Sequence, residues 1–349
     1  MAASNARRLA TRGGMCAVSL RAVGQRPVGL FTVGLRTVGL RTVGLRAIVL
    51  TTVAVWSVAS AAAFAQGAAA AQSPRPTGAR AAAPARQAPC PTEPALFQPC
   101  ALARMKTFAP PRTRDGRPNF QGFWRGMPAA TENIEAHPEN DDDNGGPSLI
   151  IDPADGKIPY QAWAKAQIPI NREKYIEPNV PCFPSGTPRS LYVPTQIQFL
   201  QSPGYLLIMF ERAHTYRIIP TTPRPALGSG IRLWQGDSRG RWEGNTLVVN
   251  ATNHNAKAWF DQAGNFYSPA ASMVERFTLI DANTMHYQVT LTDPATYTRP
   301  WTMAFPLRRN TEKGFYLLEE ACHEGERNTQ PLIEGGQAVY PGLSGPATP

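Results

Sequence analysis

The stretch Arg241-Trp242-Glu243-Gly244-Asn245-Thr246-Leu247-Val248-Val249 constrains the fold more than any other part of the 349-residue chain. Gly244-Asn245 separates a charged aromatic segment from a β-branched run, the short-range signature of a tight hairpin whose turn needs positive φ. Segments of the same character surround it: about Ser190 to Leu200, Tyr205 to Pro220, Gly230 to Gln235, Arg239 to Glu243, Thr246 to Ala251, Ser272 to Ile280, Thr284 to Thr292, Thr298 to Arg308 and Gly314 to Cys322. Turn residues such as Ser202-Pro203-Gly204, Asp281-Ala282-Asn283 and Asp293-Pro294 punctuate them. Met285, Tyr287, Val289 and Leu291 alternate with His286, Gln288, Thr290 and Thr292, which predicts a strand with one wet face. Eight or nine antiparallel strands with little helix can hide their edges in a barrel or a sandwich. We expect the all-β up-and-down barrel, with one short helix over Tyr160 to Gln167 ended or kinked by Pro169.

The first 65 residues do not read as folded protein. They hold eight arginines, no lysine and no acid, then the apolar run Ala47 to Ala65 ending in Ala63-Phe64-Ala65, the layout of a cleavable export signal. Its n-region is a low-complexity repeat of Thr-Val-Gly-Leu-Arg. Removing those eight arginines from the 35 basic residues leaves 27 against 25 acids, so the formal charge falls from +10 to +2. A chain so nearly neutral has no cationic surplus with which to neutralise phosphates, and nucleic acid is excluded as the expected partner. Once the signal is cleaved, no stable membrane span is expected. Residues 66–111, rich in Ala, Pro, Gln and Arg, read as a linker, 112–330 as the barrel domain and 331–349 as a flexible tail.

A periplasmic or secreted location changes the meaning of the cysteines. Cys90, Cys100, Cys182 and Cys322 remain after the leader, an even number in an oxidising compartment, and of three pairings we expect Cys182 with Cys322. No Cys-x-x-Cys and no paired histidine spacing points to zinc. The acidic loop Glu139 to Gly146 fails as a calcium loop. With Gly145 at the sixth position, Asn140, Asp142 and Asn144 fall at one, three and five, but Ile151 stands where a bidentate glutamate is needed. No metal and no cofactor is expected.

The run Trp242 to Val249 resembles the Trp-Glu-Gly-Asp-Thr-Leu-Val-Val signature of an uncharacterised exported bacterial family. Asp155-Gly156-Lys157-Ile158-Pro159, the Cys182 segment to Arg189, Glu211 to Arg217, Lys257 to Asp261, Val274 to Phe277 and Pro300-Trp301-Thr302 resemble its other blocks. The resemblance spans roughly Arg114 to Asn328 and implies a lipocalin-like barrel, with no reaction attached. Tyr267-Ser268-Pro269-Ala270 departs from the His-Ser-Asp-Ala expected there, and Asn245 and Asn250 replace acids.

Strand parity ranks the candidates for chemistry. If Tyr205 to Pro220 is one strand, His214 and Tyr216 share the inward face of Leu206, Ile208 and Phe210, while Glu211 and Arg217 face outward. His214 is then the candidate general base, with Glu211, Glu243 or Glu275 as the carboxylate partner. Glu243 with Arg189, or Glu275 with Arg276, could instead be ion pairs at a barrel end. Arg189, Tyr216, Arg217, Asn255 and Asp261 are candidate polar ligand contacts. Trp242, Trp259 and Trp301 are candidate cavity walls, joined by Phe305. His254, His286 and His323 are expected in solvent. Three functions are open: binding of a hydrophobic or aromatic small molecule in the barrel cavity, a cofactor-independent hydrolase, lyase or isomerase in the same cavity, or a structural envelope role.

Overall fold

The computed structural model describes residues 88–140 and 145–346. The leader expected over 1–65, the linker as far as residue 87, residues 141–144 of the acidic loop and the last three residues lie outside the described residues. In chain order the elements are α1 (Pro94–Met105), β1 (Gly122–Arg125), β2 (Ile150–Asp152), α2 (Ala162–Lys174), β3 (Tyr175–Ile176), β4 (Ile197–Ser202), β5 (Tyr205–Phe210) and β6 (Tyr216–Pro220). Then come β7 (Asp237–Glu243), β8 (Thr246–Thr252), β9 (Ser272–Asp281), β10 (Thr284–Thr292), β11 (Trp301–Arg309), α3 (Cys322–Gly325), α4 (Thr329–Glu334) and β12 (Ala338–Val339).

The strands form a nearly closed antiparallel barrel. Its wall runs β6-β5-β4-β1-β11-β10-β9-β8-β7, and β2 pairs with the free end of β11. Two meanders, β4 to β6 and β7 to β11, are thus joined by β1, which comes from far upstream. Every neighbouring pair is antiparallel. Nine strands alternating in direction leave the first and last, β6 and β7, pointing the same way. They meet without a hydrogen-bonded ladder. A parallel neighbour cannot be reached by a hairpin, so residues 221–236 travel back along the wall from the end of β6 to the start of β7. Glycine lets the two strands approach: a Cβ at Gly240 would stand 3.0 Å from Ile219 Cγ2.

The hairpin β7–β8 forms as expected, with Gly244 at φ +59 in its turn. Inward residues of successive strands meet in register, as in the row Leu247, Phe277, Tyr287 and Phe305. The lumen is packed by such side chains, which are fully buried.

Several expectations are corrected. Tyr205 to Pro220 is two strands, because Arg212–His214 forms a single 3-10 turn in which Ala213 and His214 take φ of 54 and 48. Ser190 to Leu200 begins as a 3-10 turn at Arg189–Leu191 and becomes strand only at Ile197. Gly230 to Gln235 belongs to the crossover. Gly314 to Cys322 forms no strand: Gly314 lies in a turn at φ +78, Cys322 opens α3, and the segment between is held by Glu320 on Arg212 and on the Ala213 amide. Helix α2 runs through Pro169, secured beyond it by the buried Asn171, whose amide donates to the Gly264 carbonyl at 3.0 Å.

The wall outside β9–β11 is wet only in part: Val274 and Thr292 are exposed, while Thr278, Thr284 and His286 are buried. Helix α1, within the segment whose composition reads as linker, lies against it: Phe97 stacks on His286, Gln98 bonds its Nε2 at 2.7 Å, and Arg104 pairs with Asp281. The Cys90–Cys100 disulfide braces that helix, and Cys182–Cys322 joins the approach to the barrel to α3, the expected pairing. In the segment expected as a tail, Tyr340 packs edge-on against Trp259. Among the described residues no helix is long and apolar enough to cross a membrane.

Candidate functional site

The crossover forced by the parallel seam does not lie flat. Between it and the edges of β6 and β7 a groove of about 520 Å³ opens on the outside of the wall, within the range of small-molecule sites. Tyr216 and Ile218 line it from β6, Leu227, Leu233 and Trp234 from the crossover, and Asp237, Ser238 and Arg239 from β7. His214 stands at one end, and Arg224 is exposed at the rim.

The floor is tied by Arg217. Because the 3-10 turn resets the strand's parity, Arg217 points inward and Tyr216 outward, the reverse of the sequence expectation. Both Arg217 terminal nitrogens bond the Glu275 carboxylate, the Nη1 bond at 2.9 Å. Its Nε donates to Ser238 Oγ at 2.8 Å, across the seam. Tyr287 donates to Glu275 Oε1 at 2.7 Å. Burial alone would lower the Arg217 pKa, but the adjacent Glu275 charge outweighs it and the value is raised. The strand partners β6 and β7 are therefore latched by side chains where the backbone makes no ladder.

Behind the groove, Gly236 at φ +69 lies over His254, and a Cβ there would fall 2.5 Å from the ring. His254 is buried and edge-on to Tyr267. Burial first, then the Arg217 charge, push its pKa down to about 3. Both buried histidines were expected in solvent; His286, under α1, falls to about 4 through burial. His323 is exposed as expected.

Of the residues singled out in the sequence, His214, Tyr216 and Arg217 come together here. The others have separate places. Glu211 accepts the Gln196 and Leu318 amides at 2.9 and 3.2 Å. Glu243 is on the outer surface between Arg241 and Arg276, whose bonds hold its pKa down. Glu275 could not pair with its neighbour Arg276, since successive strand residues face opposite sides. Arg189 pairs with Glu177 rather than Glu243, while its Nε and Nη2 lack partners. Asn255 turns back to accept the Lys257 amide.

Asp261 is no mouth contact. It is buried and accepts the Ile134 amide at 3.0 Å and the Asn265 side chain at 2.7 Å, yet burial prevails and raises its pKa to about 6. Trp259 and Trp301 are core residues, as is Phe305, and Trp242 packs on Phe120. No group of three or more metal-ligating side chains is assembled among the described residues.

The sequence reading missed Arg224, Leu227, Leu233 and Trp234. Their signal was the mixture of apolar and basic residues in a segment between strands too long for a hairpin turn. No family model, curated protein or solved structure matches the chain.

Proposed function

We propose that this chain is an exported binding protein that holds a hydrophobic or aromatic small molecule with an anionic group in the seam groove. The observation that carries this is the groove itself. Tyr216, Ile218, Leu227 and Trp234 offer an apolar bed beside a polar rim. On that rim the charges of Arg217 and Arg239 are matched by Glu275 and Asp237, whereas Arg224 has no carboxylate partner among the described residues. A ligand anion would complete it. The two disulfides, the leader expected from the sequence and the family resemblance support export to an oxidising compartment.

Binding is favoured over turnover because Glu211, Glu243 and Glu275, the carboxylates offered as partners for His214, are each engaged elsewhere. Melting curves with a panel of aromatic and long-chain carboxylates test the reading. A true ligand at a hundred times its Kd stabilises the protein by about 2.7 kcal/mol. The rise in Tm should vanish in Trp234→Ala and shrink in Arg224→Gln. A panel that leaves Tm unmoved, or a ligand indifferent to both substitutions, overturns it.

A further inference from the structure

The outer face of the same wall is apolar well beyond the groove. Register sets Leu200 beside Leu207 and Leu207 beside Ile218, and one level along sets Met209 beside Tyr216. Tyr216 and Ile218 are 64% and 50% exposed. No outward position on these three strands is charged.

The crossover extends this surface, since Leu227 and Leu233 face the same opening as Tyr216 and Ile218. Residues 222–233 are exposed throughout, Ile231 among them at 49%. Residues 221–236 contain Arg224 and Arg232 and no acid. Arg232 donates to the Pro269 carbonyl at 2.5 Å and, like Arg224, has no ion pair among the described residues.

We infer that this face docks peripherally on an anionic lipid bilayer. The apolar crest of Leu227, Ile231 and Leu233 enters the boundary between headgroups and acyl chains, and Arg224 and Arg232 lie against lipid phosphates. Apolar side chains flanked by unpaired cations are what interfacial binding requires, each arginine contributing about 1 kcal/mol near an anionic surface. A second copy is the poorer occupant, because a two-fold interface would bring the same unpaired arginines toward each other. The docked orientation turns the groove mouth to the membrane.

The test is co-sedimentation of the chain from Gln66, which keeps the described residues, their core and both disulfides. Vesicles of phosphatidylglycerol mixed with phosphatidylcholine are compared with phosphatidylcholine alone, at low and high salt. The protein should pellet with the anionic vesicles only, and less at high salt. Ile231→Asp and Arg232→Glu lie outside the groove lining. Each should weaken partition about tenfold or more, with Tm and carboxylate binding unchanged. Absence of sedimentation, equal sedimentation with neutral vesicles, or indifference to both variants overturns the inference. So does a concentration-dependent dimer that the same variants dissolve, which would make the face a protein interface.

Discussion

At the scale of single residues, the buried titratable groups pull stability in opposite directions with pH. His254 titrates near 3 in the folded chain against an ordinary 6.5. Its contribution is complete above pH 6.5 and is lost as pH falls toward 3. His286, near 4, follows the same course. Asp261, near 6 against an ordinary 3.8, runs the other way: its contribution is present below pH 3.8 and lost as pH rises through 6. Between pH 7 and 5 each histidine removes about 2 kcal/mol and Asp261 returns about 1 kcal/mol, so acidification destabilises the fold. Urea midpoints should fall across that range, and His254→Gln should flatten the slope by about one proton, whatever its absolute stability. A midpoint independent of pH, or a slope untouched by the substitution, contradicts this assignment. These groups were misread in the sequence because exposure is decided by what covers a strand. The alternation at His286 was legible, but the helix lying on it came from a segment whose composition reads as linker.

Among elements, β6 and β7 meet without a ladder, and Arg217 of β6 bridges them by bonding Ser238 of β7 while its terminal nitrogens are held by Glu275 of β9. Glu275→Gln keeps the shape but strands a buried guanidinium, a loss of about 3–5 kcal/mol. Replacing both partners, Arg217→Met with Glu275→Leu, should cost less than Glu275→Gln alone. Urea unfolding distinguishes the outcomes, and equal losses would mean that the charge pair is not the latch. The hairpins β7–β8 and β9–β10 were legible because residue alternation and two-residue turns, Gly244-Asn245 and Ala282-Asn283, fix period and register together. Parity in the stretch from Tyr205 was not, since Ala213 and His214 adopt left-handed conformations that no residue preference announces. One turn moved Arg217 to the inside and Tyr216 to the outside, and with them the candidate site from the lumen to the wall.

For the molecule as a whole, the barrel could be read from strand spacing, but its strand count could not. β1 is four residues long and lies far from its partners in the chain. Adding it makes the ring odd, and oddness produces the parallel seam. Amides of β6 and β7 should therefore exchange with deuterium ahead of those in β9 and β10, which are paired on both sides. Uniform protection around the wall would mean that the seam is laced by the backbone after all. The crossover over that seam has a different consequence for how such a protein can change. No strand ladder runs through residues 221–232, so their length and composition can be exchanged without re-registering a single strand. If the seam groove binds as proposed, specificity would reside in this replaceable segment, and the barrel beneath could stay constant while the ligand changes.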